Sequence, residues 1–260
     1  MLKKERRVKQ FPYGLTDKEK PYRLFCFHHA GGNVVVFRNW LGFSSHVEVI
    51  PVEIPGHSSR MNEECVTDFN EVVEESAEAI ARASDNRPIY LYGHSLGAVI
   101  AFQTAYILKS RYGIEVRKLF VAGRQAPMDE DVTGFKLEMG IKKMYEELIN
   151  MGMTTEKDVE DETFRKVFQP ILVSDYRLNE NYRYNGEKLN IPIVAFSGDE
   201  DHTAPSGVMK RWKKVTEKSF KHYEFHGSHF FPYDNGEKNV LSILRSEIFV
   251  SEGRNVPVKA

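Results

Sequence analysis

Ser95 sits in the string Gly93-His94-Ser95-Leu96-Gly97, with a glycine two residues away on each side, in a chain of 260 residues. The string means little alone, but its flanks give it a setting. An apolar run over residues 88–92 leads straight in, and Ala98, Ala101, Phe102, Ala105 and Leu108 mark one face of a helix leading out. A sharp strand-to-helix turn of this kind lifts a serine hydroxyl above the edge of a sheet, and glycines relieve crowding around its strained backbone. The helix N-terminus behind Ser95 also brings positive partial charge to where an oxyanion would form. The chemistry that such a residue serves is acyl transfer through a covalent serine intermediate.

A serine hydroxyl near neutral pH needs a base, and nine histidines compete for that role. Behind such an elbow the partners follow in the order serine, acid, histidine, so the base is sought after the last strand. His222 and His226 alternate with Tyr223 and Phe225 in the pattern of a sheet face. His229 follows Gly227-Ser228, past the strand end, in a loop able to reach back to Ser95. His229 is therefore the candidate base, with His226 in reserve. The acid is sought after the preceding strand, where Ser197-Gly198-Asp199-Glu200-Asp201 follows residues 193–196. Asp201 is the candidate because many enzymes of this architecture carry the acid three residues after the glycine. Asp199 is the reserve acid, and its other reading is a turn residue that binds backbone N–H groups.

The loop after residues 22–27, His28-His29-Ala30-Gly31-Gly32-Asn33, must supply a second oxyanion donor beside the N–H of the residue after the nucleophile. The N–H groups of Ala30 and Leu96 are the expected hole. Cys26, His28 and His29 lack a matching partner group, and the chain has no H-E-x-x-H, so no metal site is expected. His46, His57, His94 and His202 read as surface or packing residues.

The elements that must position these groups alternate. Strands are expected over residues 22–27, 47–52, 88–92, 118–122, 193–196 and 220–225, with helical periodicity between them. Phe69, Val72, Val73, Ser76, Ile80 and Ala83 step along one helix, and Asp68 with Glu71 suggests a capping box at its start. Strands separated by helices imply right-handed parallel crossovers, so the fold class is α/β, a mostly parallel sheet flanked by helices. Residues 129–185 break the rhythm. Leu137, Ile141, Met144, Leu148 and Met151 follow one helix face, and Phe164, Val167, Phe168 and Ile171 suggest another. The expected organisation is a core over residues 1–128 and 186–260 with a helical lid, 129–185, inserted between its halves. Five of the eight methionines, Met128, Met139, Met144, Met151 and Met153, fall in or beside the insertion. Either they repack around apolar ligands, with Met139, Met144 and Leu148 as pocket candidates, or they fill gaps between helices.

Composition narrows the partners. With 36 Lys and Arg against 37 Asp and Glu, the chain is not built to neutralise nucleic-acid phosphates. No apolar stretch approaches the roughly 20 residues of a membrane span. The basic residues Lys3, Lys4, Arg6, Arg7 and Lys9 lack the apolar run of a secretory signal behind them. Two cysteines are too few for a disulfide framework, which favours a reducing, cytoplasmic setting. A monomer is the default expectation.

Taken in order, the motifs resemble the stand-alone type II thioesterases that accompany nonribosomal peptide and polyketide synthases. The matching pieces run from Leu24 to Phe231. They are Phe25-Cys26-Phe27 before Ala30-Gly31-Gly32, Ile54-Pro55-Gly56 with Arg60, and Gly93-His94-Ser95-Leu96-Gly97. Ala122-Gly123-Arg124-Gln125-Ala126-Pro127, Tyr182-Arg183-Tyr184, Gly198 to Asp201, and His229-Phe230-Phe231 complete the set. The resemblance implies an α/β-hydrolase fold with a mobile lid over an acyl pocket, and it matches Ser95, Asp201 and His229 to the family's triad. It also implies hydrolysis of acyl groups from the phosphopantetheine arm of acyl or peptidyl carrier proteins, with no cofactor of the enzyme's own. Two positions depart: His28 stands where proline is usual, and His57 where an arginine after Pro-Gly is common. The rival readings are a medium-chain acyl-carrier thioesterase of fatty acid synthesis and a non-catalytic carrier-binding module.

Overall fold

The computed structural model describes residues 8–130 and 133–253, so the basic residues Lys3, Lys4, Arg6 and Arg7 lie outside the described residues. Six strands form one sheet: β1 (Tyr22–Phe27), β2 (Val47–Val52), β3 (Ile89–His94), β4 (Val116–Ala122), β5 (Ile193–Gly198) and β6 (Phe220–Phe225). Their spatial order is β2-β1-β3-β4-β5-β6, and every adjacent pair is parallel. Three strands exceed their sequence-based bounds. β3 runs on through Gly93 to His94, β5 through Ser197 to Gly198, and β4 begins at Val116.

Alternation along the strands builds two cores. Phe25, Phe27, Leu91, Leu119, Val121, Ile193 and Ala195 face one side, packed with α1 (Phe69–Ala83) and α2 (Leu96–Tyr112). Leu24, Cys26, Tyr90, Tyr92, Phe120, Ala122, Val194 and Phe196 face the other, covered by α7 (Glu237–Ser251) and the 3₁₀ segment Val34–Trp40. A parallel sheet covered on both faces reads as near-continuous apolar runs for this reason. Asp68 caps α1 by accepting the Asn70 N–H at 2.9 Å, rather than through a capping box with Glu71. The expected one-sided α2 is instead buried nearly all round over its first turns, where Val99 and Ile100 join Ala98, Ala101 and Phe102 in the core.

Between β4 and β5 come the helices α3 (Ile141–Asn150), α4 (Glu156–Glu160) and α5 (Glu162–Asn181). Phe135, Met144, Tyr145, Leu148 and Leu172 form a small core of their own there. The expected apolar face of α5 is corrected: Val167 and Phe168 are exposed, and the buried positions are Leu172, Ser174, Asp175 and Leu178. The short α6 (Ser206–Met209) follows β5.

The strand order places the site. β1 leads outward to β2, whereas β3 starts the run in the opposite direction, so the topology switches between β1 and β3. In open parallel sheets the crevice beyond the carboxyl ends at such a switch is where ligands bind. The register sets Phe27 beside Gly93 and Gly198 beside Phe225. The loops after β1, β3, β5 and β6 therefore leave from the same edge.

Candidate active site

Ser95 occupies the turn between β3 and α2 with φ 53° and ψ −119°, a left-handed backbone rare for a residue with a side chain. Its N–H donates to the Ala122 carbonyl at 2.9 Å, pinning the turn to β4. The turn is tight because α2 starts against the end of β1. A Cβ on Gly97 would come within 2.3 Å of the Phe27 carbonyl oxygen, so only glycine fits.

The loops after β5 and β6 bring an acid and a base together. His229 Nδ1 stands 2.9 Å from Asp201 Oδ2, and both residues are buried. Asp201 Oδ1 accepts three further hydrogen bonds, from the Thr203 hydroxyl at 2.7 Å, the Thr203 N–H at 2.9 Å and the Ala204 N–H at 3.2 Å. Burial pushes the Asp201 carboxyl up, but the His229 and Thr203 hydrogen bonds outweigh it and hold its pKa below the usual carboxylate value. An ionised Asp201 fixes the proton of His229 on Nδ1 and leaves Nε2 as the acceptor. The Thr203 hydroxyl, also 2.9 Å from Nδ1, donates to Asp201 and steadies the pair.

Ser95, Leu96, Ala30 and His229 line one cavity of about 690 Å³, open mouth included. Phe135, Leu148, Met151, Met153 and Phe230 supply apolar walls, and Gln125, Glu147 and Asn179 polar ones. The four residues named from the sequence for the hydroxyl, the imidazole and the two N–H groups thus line one space. Neither the Ala30 nor the Leu96 N–H is taken by a protein acceptor among the described residues. Of the expected pocket residues only Leu148 lines the cavity. Met139 is 53% exposed on the 3₁₀ turn Leu137–Met139, and Met144 is buried inside the helical core away from the cavity. Met151, the last position of that helix face, and Met153, which carries no periodic signal, are the methionines that reach it.

The reserve candidates lie elsewhere. Asp199 accepts the Gly227 N–H at 2.9 Å and pairs with His226 at 3.2 Å, so it braces the turn where β5 and β6 end. His226 is exposed, and His222 bonds Ser197 Oγ at 2.9 Å. Asp199, Glu200 and His226 come within ligand distance of one another at the surface. The Cys26 side chain packs in the apolar core on the α7 side of the sheet.

Two histidines read as packing residues do more than pack. His94 Nε2 donates to the His229 carbonyl at 2.9 Å, anchoring the loop that carries His229 to the residue before Ser95. Its burial beside His29 and His229 drives its pKa well below the usual histidine value, so it is neutral. His57 is buried and bonds Asp175 on α5 at 3.0 Å. Sequence reading could not see that bond, because the residues lie 118 positions apart.

The model of the family described as the thioesterase domain matches residues 22–248. The chain is 32% identical over 230 residues to a Brevibacillus parabrevis protein named linear gramicidin dehydrogenase LgrE, covering 86% of this chain and 87% of that one. It is 32% identical over 238 residues to thioesterase PikA5 of Streptomyces venezuelae, covering 89% and 82%. Among solved structures it is similar to the type II thioesterase BorB from the borrelidin biosynthetic cluster, with TM-score 0.76, 29% identity and coverage of 88% and 92%. The chain belongs to the thioesterase domain family, hydrolases of α/β-hydrolase fold.

Proposed function

We propose that this protein is a stand-alone type II thioesterase that clears aberrant or stalled acyl units from the phosphopantetheine arms of carrier proteins during nonribosomal peptide or polyketide assembly. The observation that carries this reading is the convergence of Ser95 and the Asp201-bound His229 on one partly apolar cavity beside α3 and α5. His229 Nε2 takes the proton of Ser95 as its oxygen attacks the thioester carbonyl, while Nδ1–H stays with Asp201. The oxyanion is met by the N–H groups of Ala30 and Leu96, about 3 kcal/mol for each donor. The intermediate collapses as His229 returns its proton to the departing sulfur, an easy leaving group because a thiol pKa is about 8.5, well below that of an alcohol or amine. A water that gives its proton to His229 then attacks the acyl-serine, and the acid departs as His229 passes that proton to Ser95 Oγ.

Residues 129–185 act as the lid in this reading, and the walls of Leu148, Met151 and Met153 hold the acyl chain. The enzyme needs no cofactor or metal of its own, since the substrate carries the phosphopantetheine. It works as a monomer in the cytoplasm on acyl and peptidyl carrier domains. No described helix is long and apolar enough to cross a membrane.

The test is deacylation of a carrier protein loaded with acetyl, medium-chain acyl or aminoacyl groups, followed by intact mass. Broad release of short acyl groups that disappears in Ser95→Ala is expected. Release confined to longer chains would transfer the protein to fatty acid synthesis. A Ser95→Ala variant that kept its full biological effect would make it a binding module.

A further inference from the structure

Under the oxyanion loop lies a buried polar cluster with no part in the proton transfers. The Asp175 carboxylate, 1% exposed on the inner side of α5, accepts the Gly31 N–H at 2.6 Å, one residue beyond Ala30. The same oxygen, Oδ2, stands 3.0 Å from His57 Nε2, and His57 Nδ1 stands 3.0 Å from the Pro55 carbonyl oxygen. Carboxylate and carbonyl oxygens only accept, so both ring contacts are hydrogen bonds only when both nitrogens carry protons. The geometry reads His57 as an imidazolium.

The groups facing that ring come from three places. Asp175 comes from α5, Glu53 and the Pro55 carbonyl from the segment after β2, and His28 from the loop after β1, its ring centre 5.2 Å away. Glu53 Oε1 lies 3.2 Å from His28 Nε2, and Cys65 faces Asp175. Burial pulls the His57 pKa down, but the charge and hydrogen bond of Asp175 outweigh it and raise it above its ordinary value. Helix α5 also grips the loop by packing. Leu172 lies one turn before Asp175, and with Met153 it crowds Gly31, where a Cβ would meet them at 2.4 and 2.7 Å.

We propose that Asp175 is a positioning residue for the oxyanion loop, held and aimed by His57, so that the Ala30 N–H points at the reacting carbonyl only while α5 is seated on the core. The Ala30 half of the hole is then coupled to the inserted helices through one carboxylate. Loss of a proton from His57 sets a ring lone pair against a buried oxygen acceptor, whichever tautomer forms, and loosens that hold. The inference rests on the roles given above to Ser95 and Ala30.

The experiment measures kcat and KM for an acetyl thioester of N-acetylcysteamine from pH 6 to 9. It compares the wild type with Asp175→Asn, His57→Arg, His57→Leu and Ser95→Ala, with folding followed by circular dichroism. Asp175→Asn is expected to lower kcat about tenfold with KM changed less than about twofold, because a misaimed donor weakens the hold on the oxyanion and leaves ground-state binding of the substrate as it was. Wild-type kcat is expected to decline on the alkaline side as His57 loses its proton. His57→Arg, a permanent cation, removes that decline, and His57→Leu lowers kcat at every pH. A folded Asp175→Asn with wild-type kcat overturns the proposal, as does a His57→Arg profile that superimposes on the wild type. If Asp175→Asn does not fold, the His57→Arg profile decides alone. Turnover surviving Ser95→Ala would overturn the underlying reading, and this inference with it. Loss in Ser95→Ala beside an unchanged Asp175→Asn would overturn this inference only.

Discussion

Two aspartates two residues apart have separate tasks, and substitution separates them. Asp201 touches the imidazole and gathers three further donors, whereas Asp199 holds Gly227 N–H and His226 at the surface. Asp201→Asn presents an amide that cannot fix the imidazole proton on Nδ1, so kcat is expected to fall by about 10⁴-fold. Asp199→Asn is expected to change kcat by about twofold at most, the usual range for a surface substitution. Deacylation rates of both variants at pH 7.5 check this, and equal losses would show that the acid had been misassigned. Thr203→Val removes a donor to Asp201 Oδ1 without touching the carboxylate, and a fall in kcat of about five- to tenfold is expected, equivalent to one ordinary hydrogen bond. An unchanged rate in that variant would mean that the two backbone N–H groups orient Asp201 unaided. The pairing of Asp201 with His229 was legible because each follows a strand end, chain order narrows the search to those two loops, and the spacing of the acid from Gly198 prefers Asp201 over Asp199. Thr203, His94 and His57 were not, since a lone hydroxyl or histidine carries no periodic signal and acts through a partner that only the fold supplies.

At the scale of elements, the site depends on how closely α2 approaches β1. Gly97→Ala would drive a methyl group into the carbonyls of Phe27 and His28. Relief requires the start of α2 to move away, carrying the Leu96 N–H with it. Overpacking of this kind costs about 1–3 kcal/mol, and a misplacement near 1 Å costs about 10²-fold in rate. The expected result is a thermal midpoint lower by about 5 °C with kcat down by about two orders of magnitude. A variant with native kcat would show that the elbow tolerates the shift. The strands were readable almost to the residue, since buried parallel strands appear as apolar runs bounded by loops. Gly93, His94, Ser197 and Gly198 escaped because small or polar residues end the apolar run before the ladder ends. α5 misled for a different reason. Its buried face includes Asp175 and Ser174, paired with the core, while Val167 and Phe168 stay exposed, so hydrophobic periodicity points to the wrong side.

For the whole molecule, buried histidines set how stability responds to pH, and they act in two windows of opposite sign. His29 is pushed down to about 3, chiefly by burial, and His94 lies well below its ordinary value for the same reason. Below about pH 6.5 the unfolded chain protonates both while the native state does not, so unfolding takes up protons and stability drops as the pH is lowered. Each such histidine contributes a slope of about 1.4 kcal/mol per pH unit, and the two together about 3. His57 works the other way, because its pKa is raised. It is protonated in both states below about pH 6.5, adds its full stabilisation there, and loses it as pH climbs through the raised native value. Asp201, with its pKa lowered, adds a further loss only when pH drops below the ordinary carboxylate range. Stability is therefore expected to peak near pH 6.5–7, with a steep acid side and a shallow alkaline one. Urea unfolding at pH 5, 6, 7 and 8.5 measures this directly. The midpoint should fall sharply from pH 6 to pH 5, and His29→Asn should flatten that fall by removing one of the two titrating rings. A midpoint that held or rose at pH 5 would mean that the ring cluster around His229 opens to water in the native state. In that case the packing of His29 on His94, with ring centres 5.5 Å apart, and of His94 on His229, 4.9 Å apart, would describe a mobile patch rather than a dry support for the His229 ring.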